Sequence, residues 1–161
     1  MDTIRDVLQQ SALLDLGPLP APRLAPVATV QQALQFLVRG RRGAIVVVEG
    51  LRPVGIFTER DVVYRIPTGL FTSRDKRLHT PIREMMSHPP VTVRRQSTLA
   101  EAVETMARLQ HRHLVVVDKQ GELKGLLTTS DIVQFLTDQF PEDMVNLPPR
   151  LRQQYPSPDG A

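Results

Sequence analysis

Cysteine is absent from the 161-residue chain, and only 4% of the residues are aromatic. The absence of cysteine excludes disulfide bonds and thiol chemistry, and it fits a reducing compartment. The sequence also lacks a run of about 20 apolar residues, which a membrane-spanning helix would require. The first residues include acidic Asp2 and Asp6, whereas a signal peptide begins basic and then turns apolar. These absences predict a cytoplasmic protein that is not embedded in a membrane.

Charge gives only weak indications about partners. The formal net charge is +3, but acidic residues are interleaved with basic ones along the chain. Few aromatic side chains are available for stacking on nucleic-acid bases, so RNA or DNA is the least favoured partner. One dense basic run, at 39–42, could complement the dipole at the end of a helix or could bind phosphate. The sequence leaves both interpretations open.

An internal repeat is the most informative feature of the sequence. A pattern of glycine, two apolar residues, threonine, two variable residues and aspartate occurs at 55–61 and again at 125–131. Such a repeat outranks any single motif as evidence about a fold. We therefore predict five segments: an N-terminal helix with a proline-rich linker at 1–23, a first repeat at 24–70, a connector at 71–84, a second repeat at 85–140 and a proline-rich tail at 141–161.

Each copy predicts a β-α-β-β-α unit, because the hydrophobic period changes in the same order twice. A helical pattern opens on Thr29 or Thr98, and each threonine can form a capping box with the side chain three residues on. A second helix starts at Thr58 or Thr128. The predicted strands are 44–48, 53–57, 114–117 and 123–127, with short extended lead-ins at 27–29 and 91–93. One repeat alone could bury only a marginal core, so we expect an α/β fold in which both repeats share one.

The duplicated Thr-x-x-Asp element has two interpretations. Thr58 and Asp61 can form a capping box at a helix start, and the same spacing occurs at 3–6 with no other sign of a site. Alternatively, the threonine hydroxyl and free N–H groups bind a phosphate while the aspartate accepts hydrogen bonds from both hydroxyls of a ribose. The element occurs twice, each time behind an apolar strand and a basic cluster, which favours a nucleotide site.

The order of these motifs resembles a tandem pair of CBS domains (cystathionine β-synthase type), also called a Bateman module, over about residues 24–140. The first copy shows T-V-x-x-A at 29–33, R-G-A-I-V-V-V at 42–48 and G-I-F-T-E-R-D at 55–61. The second copy shows M-M-S-H-P-P-V-T-V at 85–93, R-H-L-V-V-V-D at 112–118 and G-L-L-T-T-S-D at 125–131.

This resemblance implies two repeats packed sheet to sheet as a pseudo-symmetric disc, with two clefts for an adenosine ligand. The ligand would be AMP, ADP, ATP or S-adenosylmethionine, bound as an effector rather than as a cofactor. Asp61 with Thr58 would hold ribose and phosphate in the first cleft, and Asp131 with Thr128 would do so in the second. The adenine would be flanked by Val27 and Ala28 or by Val91 and Thr92, and the opposite walls would be Arg42, Gly43 and Ala44 or Arg112, His113 and Leu114.

The two clefts are expected to differ in charge. In this interpretation Arg41, Arg42 and Arg60 converge on the first cleft, whereas Arg112 and two histidines belong to the second. Phosphate charge should therefore matter more in the first cleft. A methionine pair precedes only the second repeat, at 85–86, so the two adenine pockets should differ as well.

No metal site and no catalytic group are predicted. His111 and His113 could form a pair, but no Asp, Glu or Cys is spaced to complete a metal site. No nucleophile with a partnered base can be argued from spacing either. The sequence therefore predicts a protein that is not an enzyme.

The function expected is that of a regulatory module that binds an adenine nucleotide, as in energy sensing, and signals its occupancy to an unidentified partner protein. The alternative is a ligand-free structural module for dimerisation, and binding of RNA or DNA is weaker still. A homodimer is expected in either case, because exposed apolar helix faces favour an isologous contact. The expected contact residues are Val62, Val63, Ile132, Val133 and Phe135.

Overall fold

The computed structural model describes residues 3–40, 42–65 and 77–141. Residues 66–76, which include the first part of the predicted connector, and 142–161 of the predicted tail lie outside these ranges, as does Arg41. The helices are α1 (Ile4–Gln10), α2 (Val30–Arg39), α3 (Glu59–Arg65), α4 (Leu99–Leu109) and α5 (Thr129–Gln139), and the strands are β1 (Arg23–Leu24), β2 (Ala44–Glu49), β3 (Arg52–Thr58), β4 (Thr92–Arg94), β5 (His113–Val117) and β6 (Leu123–Thr128). Within the described ranges, no helix is both long and apolar enough to cross a bilayer.

The predicted β-α-β-β-α order is confirmed in both repeats. The first repeat runs β1-α2-β2-β3-α3, and the second runs β4-α4-β5-β6-α5. In the part of the chain that the structure describes, the strands form two three-stranded sheets, each with a parallel outer pair and an antiparallel hairpin. Both hairpins carry a register shift at equivalent places, between Val47 and Val48 and between Val116 and Val117. The duplication therefore extends to local irregularities of the backbone.

The central strands are buried on both faces, which explains their continuous apolar sequence. In β2, Ile45 and Val47 pack with α2, while Ala44 and Val46 alternate onto the opposite face and pack against the second sheet. The core between the sheets consists of Ala44, Val46, Ile56, Val115, Val117, Leu123 and Leu126. The sheet-to-sheet packing predicted from the sequence is therefore confirmed.

Each repeat is covered by the segment that precedes the other repeat in the chain. The 3-10 helix Leu13–Leu16 lies before the first repeat, yet Leu13 is buried in the core of the second and its N–H donates to the Ser97 carbonyl at 3.0 Å. The 3-10 helix Ile82–Glu84 mirrors this contact, because Ile82 is buried in the first core and donates to the Ala28 carbonyl at 2.7 Å. The two repeats thus exchange their leading segments.

The same exchange explains the glycine that opens each repeated motif. Ser87 pairs with Ile56 at the edge of β3, and the carbonyl of Leu19 accepts from the Leu126 N–H at the edge of β6. The exchanged segments pass so close that a Cβ on Gly55 would overlap the Met86 side chain. A Cβ on Gly125 would lie 2.7 Å from the carbonyl oxygen of Leu19. Only glycine leaves room for these segments.

The structure corrects the predicted lead-in of the first repeat. The strand lies at Arg23–Leu24, whereas Val27 and Ala28 follow it in the turn that leads to α2. Since β1 runs parallel to β2, residues beyond Leu24 lie toward the end of β2, away from Ala44 and the motif helix. Val27 and Ala28 therefore do not flank the first cleft. The sequence pattern predicted the strand directly before the helix cap that both repeats share, whereas the strand of the first repeat lies a few residues earlier.

The glycine contacts predict two different responses to an added methyl group. Gly55→Ala and Gly125→Ala should each reduce the free energy of unfolding by roughly 1–3 kcal/mol, because each site is already filled. Met86→Ala should restore most of the loss in Gly55→Ala, since a side chain fills that site. Leu19→Ala should not rescue Gly125→Ala, because there the obstacle includes a backbone oxygen. Urea unfolding of the single and double variants measures the loss at each glycine and its recovery in the double variant. Equal recovery at the two sites would contradict this explanation.

Candidate functional site

Both Thr-x-x-Asp elements form capping boxes. The Asp61 Oδ2 atom accepts from the Thr58 N–H at 2.8 Å and from its hydroxyl at 2.9 Å, while the Asp61 N–H donates to the Thr58 hydroxyl at 3.3 Å. Thr128 and Asp131 repeat these contacts at 2.7, 2.8 and 3.2 Å. The box at 3–6 has the same geometry. Capping therefore accounts for one oxygen of each aspartate and leaves the other, Oδ1, for a different role.

The Oδ1 oxygens of the two aspartates have different neighbours. Asp61 Oδ1 accepts from the Ser87 hydroxyl at 3.0 Å and pairs with Arg65 Nε at 3.1 Å. Arg65 belongs to the same helix, one turn on, and also donates to the carbonyl of Met86. Asp131 Oδ1 is instead bound by Arg42 Nη1 at 2.7 Å, and Arg42 comes from the first repeat. The sites are similar in their caps and dissimilar in the groups that contact Oδ1.

A cavity of about 480 Å³ lies at the first motif. It lies between the start of α3 and the loop that precedes β5, so both repeats contribute to it. Its lining residues are Gly43, Ile56, Thr58, Glu59, Arg60, Asp61, Val63, Tyr64, Ser87, Gln110, His111, Arg112 and His113. We call this cavity the first cleft and the surroundings of Asp131 the second cleft. The volume falls in the range of about 300–1,000 Å³ that is typical of small-molecule sites.

The structure corrects the assignment of cations to the two clefts. Arg42 was expected beside Asp61 but contacts Asp131, while Arg112, His111 and His113 line the cavity at Asp61. The reason is strand alternation: Arg42 has the parity of Ala44 and Val46, which face the second sheet, and His113 has the parity of Val115, which faces the first. Arg42 and His113 therefore point to the opposite repeat, whereas Arg112, with the parity of Leu114, lines the first cleft from the loop before β5. Arg60 does line the first cleft, as expected.

The remaining residues predicted to line or flank the clefts occupy different environments. Gly43 lines the first cleft, while Ala44 is buried between the sheets. Leu114 is buried in the core of the second repeat, where it packs among residues of α4. Val91 accepts a backbone hydrogen bond from Val115 at 3.0 Å, and Thr92 pairs with Val115 in the sheet, next to the start of β5.

Sequence reasoning missed several residues of the first cleft. Ser87 contributes a hydroxyl to Asp61, and Tyr64, Glu59 and Gln110 line the cavity. The methionine pair that was assigned to the second repeat packs against the core of the first. The equivalence of residues 12–16 and 81–85, which occupy the same place before the two repeats, is the feature that relates the two leading segments. The sequence alone did not show that the two segments are exchanged.

His113 connects the two clefts. Its Nε2–H donates to the carbonyl of Arg42 at 2.9 Å, and a Cβ added to Gly43 would lie 3.4 Å from the same ring nitrogen. Burial lowers the pKa of His113, although the hydrogen bond to Arg42 and the nearby Glu59 carboxylate oppose that shift. The histidine is therefore neutral near pH 7. Among the described residues, no group of three His, Asp or Glu side chains is arranged to hold a metal ion.

Comparison with known proteins identifies the family. A model of the CBS domain matches residues 19–68 and 82–138, which together make up more than half of the chain. The chain belongs to the CBS domain family. It is 34% identical over 119 residues to an uncharacterized protein of Methanopyrus kandleri, covering 71% of this chain and 58% of that protein. It is 30% identical over 122 residues to the CBS domain-containing protein YhcV of Bacillus subtilis, covering 76% and 83% of the two.

A solved structure shows the same architecture. A CBS domain protein of Pyrobaculum aerophilum, complexed with AMP, is 29% identical to this chain with a TM-score of 0.64. The match covers 79% of this chain and 99% of that one. The tandem CBS pair predicted from the sequence is thereby confirmed.

The lowered pKa of His113 predicts a loss of stability in acid. The unfolded chain takes up a proton near pH 6.5, whereas the folded protein does so only at lower pH. Below about pH 6.5 the unfolded state binds more protons, so the free energy of unfolding should decrease as the pH falls. His113→Gln keeps a donor for the Arg42 carbonyl and should flatten this part of the profile. Urea unfolding of the parent and of His113→Gln from pH 7.5 to 5 measures the difference, and equal slopes in the two proteins would contradict this assignment.

Proposed function

We propose that this protein is a regulatory module that binds an adenine nucleotide in the first cleft. The observation that carries the proposal is that one cavity joins the Asp61 carboxylate to Arg60 and Arg112. A carboxylate can accept hydrogen bonds from the two hydroxyls of a ribose, and guanidinium groups bind phosphate. The AMP bound to the Pyrobaculum aerophilum relative supports the same ligand class for this chain.

The capping contacts are compatible with this role. Because capping uses Oδ2, a ribose can approach Asp61 through Oδ1, where Ser87 and Arg65 now bind. Arg65 is 44% exposed and reaches Oδ1 from the same helix, and it would turn toward solvent on ligand binding by also releasing the Met86 carbonyl and the Ser87 hydroxyl. The cap itself stays intact. Capping and binding are therefore two functions of one side chain.

Regulation requires that occupancy alter a surface that a partner can contact. Val63 and Tyr64 fit this requirement, because both line the cavity and both are largely exposed. A nucleotide in the first cleft would contact the same helix that offers these side chains to a partner. The module itself need not catalyse a reaction. Its output would be the altered affinity of α3 for that partner.

A ligand-free structural module is the second candidate, since each aspartate is already fully engaged by caps and cations. In that case nucleotides would leave the protein unchanged. Calorimetric titration with AMP, ADP, ATP and S-adenosylmethionine decides between the candidates and identifies the preferred ligand. A salt-dependent affinity for RNA, with no response to nucleotides, would instead favour nucleic-acid binding.

Asp61→Asn should separate binding from capping. Asparagine can still cap in part, so weakening of the cap should lower the free energy of unfolding by at most about 1 kcal/mol, and loss of the ion pair with Arg65 adds to this. The affinity for AMP should fall by about tenfold or more, because charge-assisted hydrogen bonds to the ribose are lost. Saturating AMP should raise the melting temperature of the parent protein, and it should raise that of the variant far less.

Asp6→Asn is the matched control, since Asp6 forms the same capping box away from the cleft. It should lose the stability of one helix cap and keep the full response to AMP. Equal AMP-induced shifts in the parent and in Asp61→Asn would rule out the nucleotide role and leave a helix cap.

We also propose that two copies pair through the helices that follow the motifs. Val63, Tyr64 and Val133 are 53–77% exposed on α3 and α5, which is unusual for large apolar side chains on neighbouring motifs. Of the other expected contact residues, Ile132 is buried in the second core, Phe135 packs partly buried against that core, and Val62 packs partly buried against the first. Ile132 therefore supports its helix from beneath and lies outside the proposed contact.

The dimer proposal predicts a mass of twice 18.1 kDa in light scattering at micromolar concentration. Val63→Asp with Val133→Asp should yield the monomer mass, because each charge would be buried in the contact. Val38→Asp, at a still more exposed valine on α2, should leave the dimer intact. A monomeric parent would exclude this arrangement.

A further inference from the structure

Arg42 occupies the carboxylate of the second cleft. Its Nη1 contacts Asp131 Oδ1 at 2.7 Å, its Nη2 contacts Oδ2 at 3.0 Å, and Nη2 also donates to the carbonyl of Leu126. The guanidinium thereby binds both oxygens of Asp131, including the one that capping leaves over. A ribose approaching Asp131 would meet this guanidinium first.

The two arginines that contact the aspartates reach them from different directions. Arg65 reaches Asp61 from the same helix and uses only Nε. Arg42 reaches Asp131 from the opposite repeat, so its side chain spans the space between the repeats. The side chain of Arg42 is 20% exposed, against 44% for Arg65. Arg42 is therefore the more enclosed of the two and lies across its cleft.

The contact that Arg42 makes with the motif aspartate has no equivalent at the first cleft. Gly43 and Arg112 occupy equivalent positions in the two repeats. The carbonyl of Gly43 accepts from the N–H of Glu59, and the carbonyl of Arg112 accepts from the N–H of Thr129, the residue after the capping threonine in each motif. Arg42 then corresponds to His111, whose Nδ1 contacts the carbonyl of Leu109 at 2.6 Å. His111 lines the first cleft without binding Asp61. A cation that spans the cleft is thus present on one side of the pseudo-symmetric pair.

The exchanged segments add to this difference. Ser87 crosses the edge of the first sheet and supplies a hydroxyl to Asp61, whereas Leu19 crosses the second sheet at the equivalent place. Leucine has no group that could bind Asp131 Oδ1. Arg42 supplies that missing contact through bonds that are charge-assisted and bidentate, the strong class of protein hydrogen bonds. Neutral ribose hydroxyls compete poorly for a carboxylate that is held in this way.

We propose that Arg42 is a built-in occupant that closes the second cleft to nucleotides, so that each chain binds one nucleotide, at Asp61. This inference rests on the proposed function of the first cleft. It makes Arg42 the residue that sets the stoichiometry of binding. Removing its guanidinium opens the second carboxylate to a ribose.

Calorimetric titration with AMP tests the stoichiometry. The parent protein should bind one AMP per chain, and Arg42→Met, which keeps the length of the side chain without its charge, should bind two. Arg65→Met is the matched control at the first cleft and should still bind one. Two sites in the parent, or one site in a folded Arg42→Met, would overturn the proposal.

A second measurement starts from Asp61→Asn with Arg42 in place, so its first step does not depend on the folding of Arg42→Met. In Asp61→Asn, no site with the parent affinity should remain, because the second cleft is closed. Combining Arg42→Met with Asp61→Asn should restore one site. Retention of one full-affinity site in Asp61→Asn alone would show that the second cleft is open and would contradict the proposal. If the parent binds no AMP at all, the nucleotide function fails, which differs from a parent that binds two.

Discussion

The apolar contact between the two sheets is the constraint on which the remaining structure depends. Ala44 and Val46 from one central strand meet Val115 and Val117 from the other, and burial of this surface holds the repeats together. Because each central strand is buried on both faces, alternation fixes which side chains before it reach the opposite repeat. Both the contact of Arg42 with Asp131 and the place of His113 in the cavity at Asp61 follow from that alternation.

Exchange of the leading segments is the second determinant of the site. Each motif strand has an outer edge with unpaired backbone groups, and the segment before the other repeat covers it. The glycine at the start of each motif permits this close approach. The exchanged segments are not identical, and the serine on one side and the leucine on the other give the two aspartates different surroundings. A symmetric fold thereby acquires two chemically different clefts.

The order of elements and the caps followed from the sequence because they depend on local spacing. Thr29, Thr98, Thr58 and Thr128 all cap helices where the pattern places them. The partners of Arg42 and the position of the first lead-in strand did not follow, since both depend on how the sheets pack. Because Arg42 has the parity of Ala44, the sequence shows that both side chains lie on the same face of the first sheet. Which residues they meet is known only once the sheet that packs on that face is known. Local periodicity does not specify which repeat supplies the wall of a cleft.

Each repeat supplies side chains to the cleft of the other, as in the hydrogen bond from His113 to the carbonyl of Arg42. This sharing has a consequence for how such a protein could arise and change. Neither half of the chain contains a complete cleft, since each carboxylate faces a cation from the other repeat, Arg112 at Asp61 and Arg42 at Asp131. A single ancestral repeat could have completed its clefts only by pairing with a second copy, in which case both clefts would have been identical. Fusion into one chain removes that identity requirement. Each half is then free to diverge, and an arginine in one half can close a cleft without closing its twin.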